Sequence, residues 1–365
     1  MEAVPKNIVF VSSGLHVFGG LESVTVATTN MLVSNDYKVS IIVISNSTVS
    51  VFPLHPQIVI KNIDLTFGIS QAGNLLSRKV EMIKDFSLLR NEVSLLQPDT
   101  VICNEYSFSI ALALDRKRKY TLFSWEHAHF SPDKKNWFWS LLTKVAYKKL
   151  DGIICLNEDE KRLYQKYNNN VFCIPNFIQY KNTSISALKK INQILSVARL
   201  TEAKGIHTLL QVGKLILEKN EKWQWKIIGA GHLQNLILTF IDEHKLHGRL
   251  ILESASTHHL WAEYEQSSIY VMTSLHERFG MVLLETLSCG TPCIAFDCET
   301  GPRHIIKNGE NGMLIPLGNL ENLREAISFM IQNEVERQRM SALAPESVAK
   351  FQVENIFPLW QKLLR

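Results

Sequence analysis

Apolar residues fall in short runs that end in small or glycine-rich turns, and stretches with helical spacing follow them. The first run, Asn7–Ser12, opens into Ser13-Gly14-Leu15-His16-Val17-Phe18-Gly19-Gly20, and a helical pattern starts at Leu21. Strand, glycine loop and helix make the first unit of a doubly wound sheet, where the loop and the helix N-terminus can meet a phosphate. Further strands are predicted over Val39–Ile44, Val59–Ile63, Thr100–Cys103, Tyr120–Trp125 and Gly152–Leu156. This alternation predicts an α/β fold with a parallel sheet.

The pattern breaks at Val171-Phe172-Cys173-Ile174-Pro175-Asn176, and a polar stretch runs from Gln179 to Asn192. A boundary there gives an N-terminal domain over 1–178 and a second over 179–350. The second half repeats the grammar. Strands are predicted at Ile194–Ala198, Trp225–Ile228, Leu250–Leu252, Ile269–Met272, Cys293–Phe296 and Met313–Ile315. Helices are predicted at Ile206–Glu218, Leu233–Glu243, Trp261–Gln266, Met281–Cys289 and Leu320–Ile331. Two Rossmann-like halves in tandem predict a cleft at the carboxyl ends of their sheets. The segment 351–365 is expected to cross back to the first domain as a helix kinked at Pro358.

Length agrees with two domains: 365 residues exceed one ordinary core. With 46% hydrophobic and 20% charged residues, the chain is a folded protein rather than a disordered one. The run Ile8–Val11 is too short for a signal peptide, and nothing approaches the roughly 18 apolar residues of a membrane span, so a cytoplasmic protein is expected. The six cysteines show neither zinc spacing nor a disulfide framework and are expected to be buried thiols. Net charge is only +4, yet Leu114–Leu150 holds nine Lys or Arg against three acids. Such asymmetry points to an anionic partner or to a solvated helical face.

The chemistry concentrates in the second half. In His276-Glu277-Arg278-Phe279-Gly280-Met281-Val282-Leu283-Leu284-Glu285, one carboxylate follows a strand and another lies in the next helix. A helix starting near Gly280 offers free amides and a positive dipole end, which suit a diphosphate. Arg199 and Lys204 leave a strand together, and two fixed cations match the same group. With Lys204-Gly205, Ile227-Ile228-Gly229-Ala230-Gly231, Gly290-Thr291-Pro292 and Asn308-Gly309-Glu310-Asn311-Gly312, these segments resemble the retaining glycosyltransferases of family 4, of the GT-B fold. The resemblance spans the second half almost end to end. In the first half it rests on Gly19-Gly20-Leu21-Glu22, Ser124-Trp125-Glu126-His127 and Ile174-Pro175-Asn176.

That resemblance implies a nucleotide-sugar donor, a metal-independent reaction and no cofactor. It gives Arg199 and Lys204 the diphosphate, the amides of Phe279, Gly280, Met281 and Val282 its cradle, Glu285 the ribose and Glu277 the transferred sugar. Gly20 and Gly229 bring backbone close to the donor, and either His127 or His129 meets the sugar. The segment Phe296-Asp297-Cys298-Glu299-Thr300-Gly301-Pro302-Arg303 is similar to a variant in enzymes that build bacterial surface polysaccharides such as O-antigen with UDP-sugars, although GDP stays open. The acceptor is then a glycan, on a lipid where the basic segment docks peripherally on an anionic inner membrane. Alternatively, Trp137, Leu141 and Val145 form a core-facing stripe.

Other readings are weaker. A nicotinamide oxidoreductase needs Gly-x-Gly-x-x-Gly, and Gln234 stands where the third glycine belongs. A sugar-nucleotide epimerase shares the architecture, and a non-catalytic membrane-associated protein would not need the intact charged motif. Nucleic acid is not an expected partner.

Overall fold

A computed structural model of the chain describes residues 6–17, 19–45, 47–65, 75–127, 137–179, 190–254, 260–298 and 300–365. It divides into two compact units, residues 1–176 with 356–365, and residues 177–355. Each is built on one sheet whose register pairs are all parallel.

The first unit carries β1 (Asn7–Ser12), β2 (Lys38–Val43), β3 (Val59–Asn62), β4 (Thr100–Cys103), β5 (Thr121–Trp125), β6 (Gly152–Cys155) and β7 (Val171–Cys173), in the order β3-β2-β1-β4-β5-β6-β7. The second carries β8 (Ile191–Val197), β9 (Gln224–Ile228), β10 (Leu250–Glu253), β11 (Ser267–Met272), β12 (Cys293–Asp297) and β13 (Gly312–Pro316), in the order β10-β9-β8-β11-β12-β13. Both orders reverse beside their first strand, as in doubly wound nucleotide-binding sheets. Helices cover both faces of such a sheet, so central strands are apolar throughout rather than alternating. Strand β4 is buried at every position, and β1 everywhere after Asn7.

Three features depart from the sequence pattern. The predicted break at 171–176 contains the edge strand β7, too short to register as a run of its own. A helix at Glu334–Ser347 was not anticipated; it buries only Met340, Ala344 and Ser347 and contains Pro345. The helix Val353–Leu364 runs through Pro358 without interruption.

That helix closes the first unit's core. Trp360 is fully buried and meets Trp125 of β5 edge-on, with ring centroids 5.0 Å apart. Lys6 donates to the carbonyls of Leu364 and Arg365, tying the helix end to the approach to β1. All six cysteines are free thiols; five are buried, and Cys173 on the edge strand is half-buried.

Replacing a buried tryptophan leaves a cavity the size of the ring, so Trp360→Ala is expected to destabilise the first unit by about 3–5 kcal/mol in urea unfolding. Leu359→Ala, on the exposed side of the same helix, is expected to stay within about 0.5 kcal/mol.

Candidate active site

In the second unit β8 has β9 on one side and β11 on the other. The connections from β8 and β11 therefore part at their carboxyl ends, which is where open α/β sheets bind ligands. Two loops occupy this point, 198–205 after β8 and 273–280 after β11. They are stitched together by backbone and hydroxyl: Leu275 N–H donates to the Ala203 carbonyl at 2.9 Å, and Thr273 Oγ1 to the Lys204 carbonyl at 2.9 Å.

Glycine makes this approach possible. Gly205 has φ +66°, and a Cβ there would lie 2.0 Å from the Thr273 carbonyl oxygen. At Gly229, just after β9, a Cβ would lie 1.9 Å from the Ala198 carbonyl oxygen. The loops after β8 and β9 touch backbone to backbone there, and Leu200 N–H donates to the Ala230 carbonyl at 2.9 Å.

The charged residues follow from this frame. Lys204 ends a short 3-10 turn, Glu202–Lys204, and its Nζ donates to Glu277 Oε2 at 2.6 Å across 73 residues of sequence. Both side chains are 18% exposed, so the pair is only partly screened by water. Ser274 Oγ reaches the same oxygen at 3.5 Å. The Glu277 carbonyl accepts from Thr300 Oγ1 at 2.9 Å and from Gly301 N–H at 3.0 Å, which fixes the loop beneath the carboxylate. Arg199 is exposed at the end of β8.

Gly280, at φ +93°, turns this loop into the helix Met281–Ser288. Leu283 N–H already donates to the Gly280 carbonyl at 2.9 Å, leaving Met281 and Val282 as first-turn amides ahead of it. Phe279 is buried edge-on against Phe351, with ring centroids 5.6 Å apart. Within the helix, Glu285 Oε2 accepts from the Tyr264 hydroxyl at 2.8 Å. Burial pushes the Glu285 carboxyl above its usual range, and the Tyr264 bond works against that rise.

Lys204, Gly229, Glu277, Phe279, Gly280, Met281, Val282, Glu285 and Arg199 thus belong to one unit, around the ends of β8, β9 and β11. Gly20 and His127 belong to the other. Gly20 is the exposed first residue of the helix Gly20–Val33, preceded by Gly19 in extended backbone. His127 follows β5 and packs against Trp125, with ring centroids 4.3 Å apart. The intervening Glu126 is buried and accepts hydrogen bonds from Ser124, Tyr147 and Tyr164. Burial, and after it the Glu126 charge, raises the Tyr147 phenol well above the ordinary range. His129, Lys134, Lys135 and Glu299 lie outside the described residues.

Tyr264, Ser274, and Thr300 and Gly301 as the floor under Glu277, are functional neighbours that no sequence motif marks. Tyr264 sits in a different element, 21 residues before Glu285, and no local pattern links them.

The fold and the sequence of each half define a class. The structure aligns with TarM of Staphylococcus aureus, solved with UDP and α-GlcNAc-glycerol among its ligands, at a TM-score of 0.82 and 15% identity, over 99% of this chain and 100% of that one. This is the GT-B architecture. The family model "Glycosyltransferase Family 4" matches residues 18–181, and "Glycosyl transferases group 1" matches residues 181–347. An uncharacterized glycosyltransferase of Haemophilus influenzae is 28% identical over 98% of this chain and its own full length. The lipopolysaccharide 1,6-galactosyltransferase of Salmonella typhimurium is 26% identical over 75% of this chain and 76% of that enzyme. The two family matches adjoin and between them cover residues 18–347, so both halves of the chain are similar to glycosyltransferases and the architecture is GT-B.

A methyl group at Gly205 meets both a forbidden backbone region and the Thr273 carbonyl. Gly205→Ala is expected to lower the stability of the second unit by more than about 2 kcal/mol, measured by chemical unfolding. An unchanged midpoint would show that the two loops do not need this contact.

Proposed function

We propose that the protein is a retaining transferase that moves a hexose or N-acetylhexosamine from UDP to a lipid-linked glycan of a bacterial surface polysaccharide. The observation that carries this reading is the Lys204–Glu277 bond, made across the loops after β8 and β11, on the loop that turns at Gly280 into the helix Met281–Ser288 carrying Glu285. Cations and helix amides suit a departing diphosphate, and the two carboxylates suit hydroxyls on either side of it.

In this reading Lys204 and Arg199 take the diphosphate with the amides of Phe279 to Val282. Glu285 takes the ribose through its free oxygen, Oε1, since Tyr264 occupies Oε2. Glu277 takes the transferred sugar. Retention follows from front-face attack, in which the leaving diphosphate accepts the acceptor's proton and the protein contributes orientation and charge. A diphosphate met by fixed cations and amides needs no metal ion. The UDP of the TarM structure and the galactosyltransferase relative support the donor class.

A lipid-linked acceptor is supported by one face of the first unit. No helix among the described residues is long and apolar enough to cross a membrane. On the helix Trp137–Tyr147, Leu141 is 55% and Val145 42% exposed. Of the alternative stripe of Trp137, Leu141 and Val145, the last two therefore face solvent, and Thr143, Ala146 and Tyr147 turn inward. Lys144 and Lys148 are exposed beside Leu141 and Val145 at helical spacing. Arg118 bonds Asp151 at 2.8 Å and the Lys149 carbonyl at 2.7 Å, which holds the exposed Arg116, Lys117 and Lys119 near the end of that helix. Basic and apolar side chains on one face fit the headgroups of an anionic bilayer.

A thermal-shift screen of UDP-, GDP- and ADP-sugars identifies the donor; at a hundred times its dissociation constant it should add about 2.7 kcal/mol. With that donor, Glu285→Ala and Lys204→Ala are each expected to lower affinity or turnover at least about tenfold, the low end for a lost charge-assisted hydrogen bond. Wild-type turnover should persist in EDTA. Unchanged kinetics in both variants would remove the donor-site assignment. For the membrane face, replacing Lys117, Lys144 and Lys148 with Ser is expected to abolish sedimentation with anionic liposomes at low salt and to spare transfer to a soluble acceptor analogue. A wild-type protein that ignores such liposomes would make the basic face a solvated one.

A further inference from the structure

The cation given to the diphosphate and the carboxylate given to the sugar are bonded to each other. Lys204 Nζ and Glu277 Oε2 are 2.6 Å apart, each side chain 18% exposed. Neither backbone is free to retreat. The carbonyls of Ala203 and Lys204 accept bonds from Leu275 and Thr273, and the Glu277 carbonyl accepts two from Thr300 and Gly301. At Gly301 a Cβ would come within 2.9 Å of the Glu277 and Phe279 carbonyl oxygens, so the loop is also pressed from below. A ligand that draws Lys204 toward phosphate therefore leaves the Glu277 carboxylate where it is.

We propose that Glu277 makes the site discriminate against the spent nucleotide. A nucleoside diphosphate takes the Lys204 ammonium, and Glu277 is then a half-buried negative charge without its partner, close to further negative charge. Such a group carries a desolvation cost that the long Ser274 contact offsets only in part. A nucleotide sugar makes the same demand on Lys204 but brings hydroxyl donors, which satisfy the released carboxylate. The pair thus lowers affinity for the bare diphosphate and restores it only when a sugar is attached. After transfer the sugar leaves with the acceptor, Glu277 loses its donors, and the product nucleotide is expelled while Lys204 returns to the carboxylate. Ser274 Oγ, at 3.5 Å from the same oxygen, makes a weak, uncharged contact that replaces neither partner.

This inference rests on the donor-site reading, and its test separates the two. Dissociation constants for UDP, GDP and ADP are measured by calorimetry with the wild-type protein, and the tightest of the three is carried forward to Glu277→Gln, Glu277→Ala and Lys204→Met. Both Glu277 variants are expected to bind the bare diphosphate about fivefold more tightly than wild type, near the upper end for the coupling of a partly exposed ion pair. The same diphosphate should become a stronger product inhibitor by a similar factor. Lys204→Met is expected to weaken binding. If Lys204→Met weakens binding while both Glu277 variants bind the diphosphate as wild type or more weakly, the discrimination is overturned and the diphosphate assignment stands. If Lys204→Met leaves binding unchanged, the diphosphate assignment falls and this inference falls with it.

Discussion

The second unit's chemistry depends on backbone meeting backbone at Gly205, Gly229 and Gly301. Each would place a Cβ within 3 Å of a carbonyl oxygen of a neighbouring loop. Peptide groups are far stiffer than side chains, so these contacts set the spacing of the loops after β8, β9 and β11 before any charged residue is considered. The Lys204–Glu277 bond is a consequence of that spacing rather than its cause. A charge pair held this way spends little conformational entropy when it is rearranged, which is what preorganised electrostatics requires.

What the sequence disclosed and what it concealed divide along physical lines. Central strands such as β4 were legible because both faces are buried and the apolar run is continuous. Strand starts were less so, for a physical reason. Strand β8 begins at Ile191 and β11 at Ser267, earlier than their apolar runs suggest. The extra residues include Gln193, Ser267 and Ser268, all buried and all satisfied: Gln193 donates to Glu263 and Ser267, Ser267 to the Glu263 carbonyl, Ser268 to the Ile191 carbonyl. A polar residue that buries itself by bonding looks, in one dimension, like a loop. The helix Glu334–Ser347 was hidden for the opposite reason, since it buries little and its pattern has no strong face.

For the site, the legible part was whatever is contiguous: a strand end, a glycine and a helix start within ten residues. Contacts made through space were not legible. Tyr264 against Glu285, and Thr300 and Gly301 beneath Glu277, come from elements whose order in the sheet no short window reveals. The basic helix of the first unit is a mixed case. Its amphipathic content was visible, but which stripe turns inward was settled by the small and bonded residues Thr143 and Ala146 and by Tyr147, which reaches the buried carboxylate of Glu126.

The division of the chain also bears on how the molecule is made. Residues 356–365 complete a unit whose other members all precede residue 177, and the whole of the second unit lies between. On a ribosome, domains generally fold in the order in which they emerge. Here the second unit has all its residues first, while the older half of the chain waits with the place of Trp360 beside Trp125 unfilled. The place of Trp360 beside Trp125 is thus filled only after the second unit has been made.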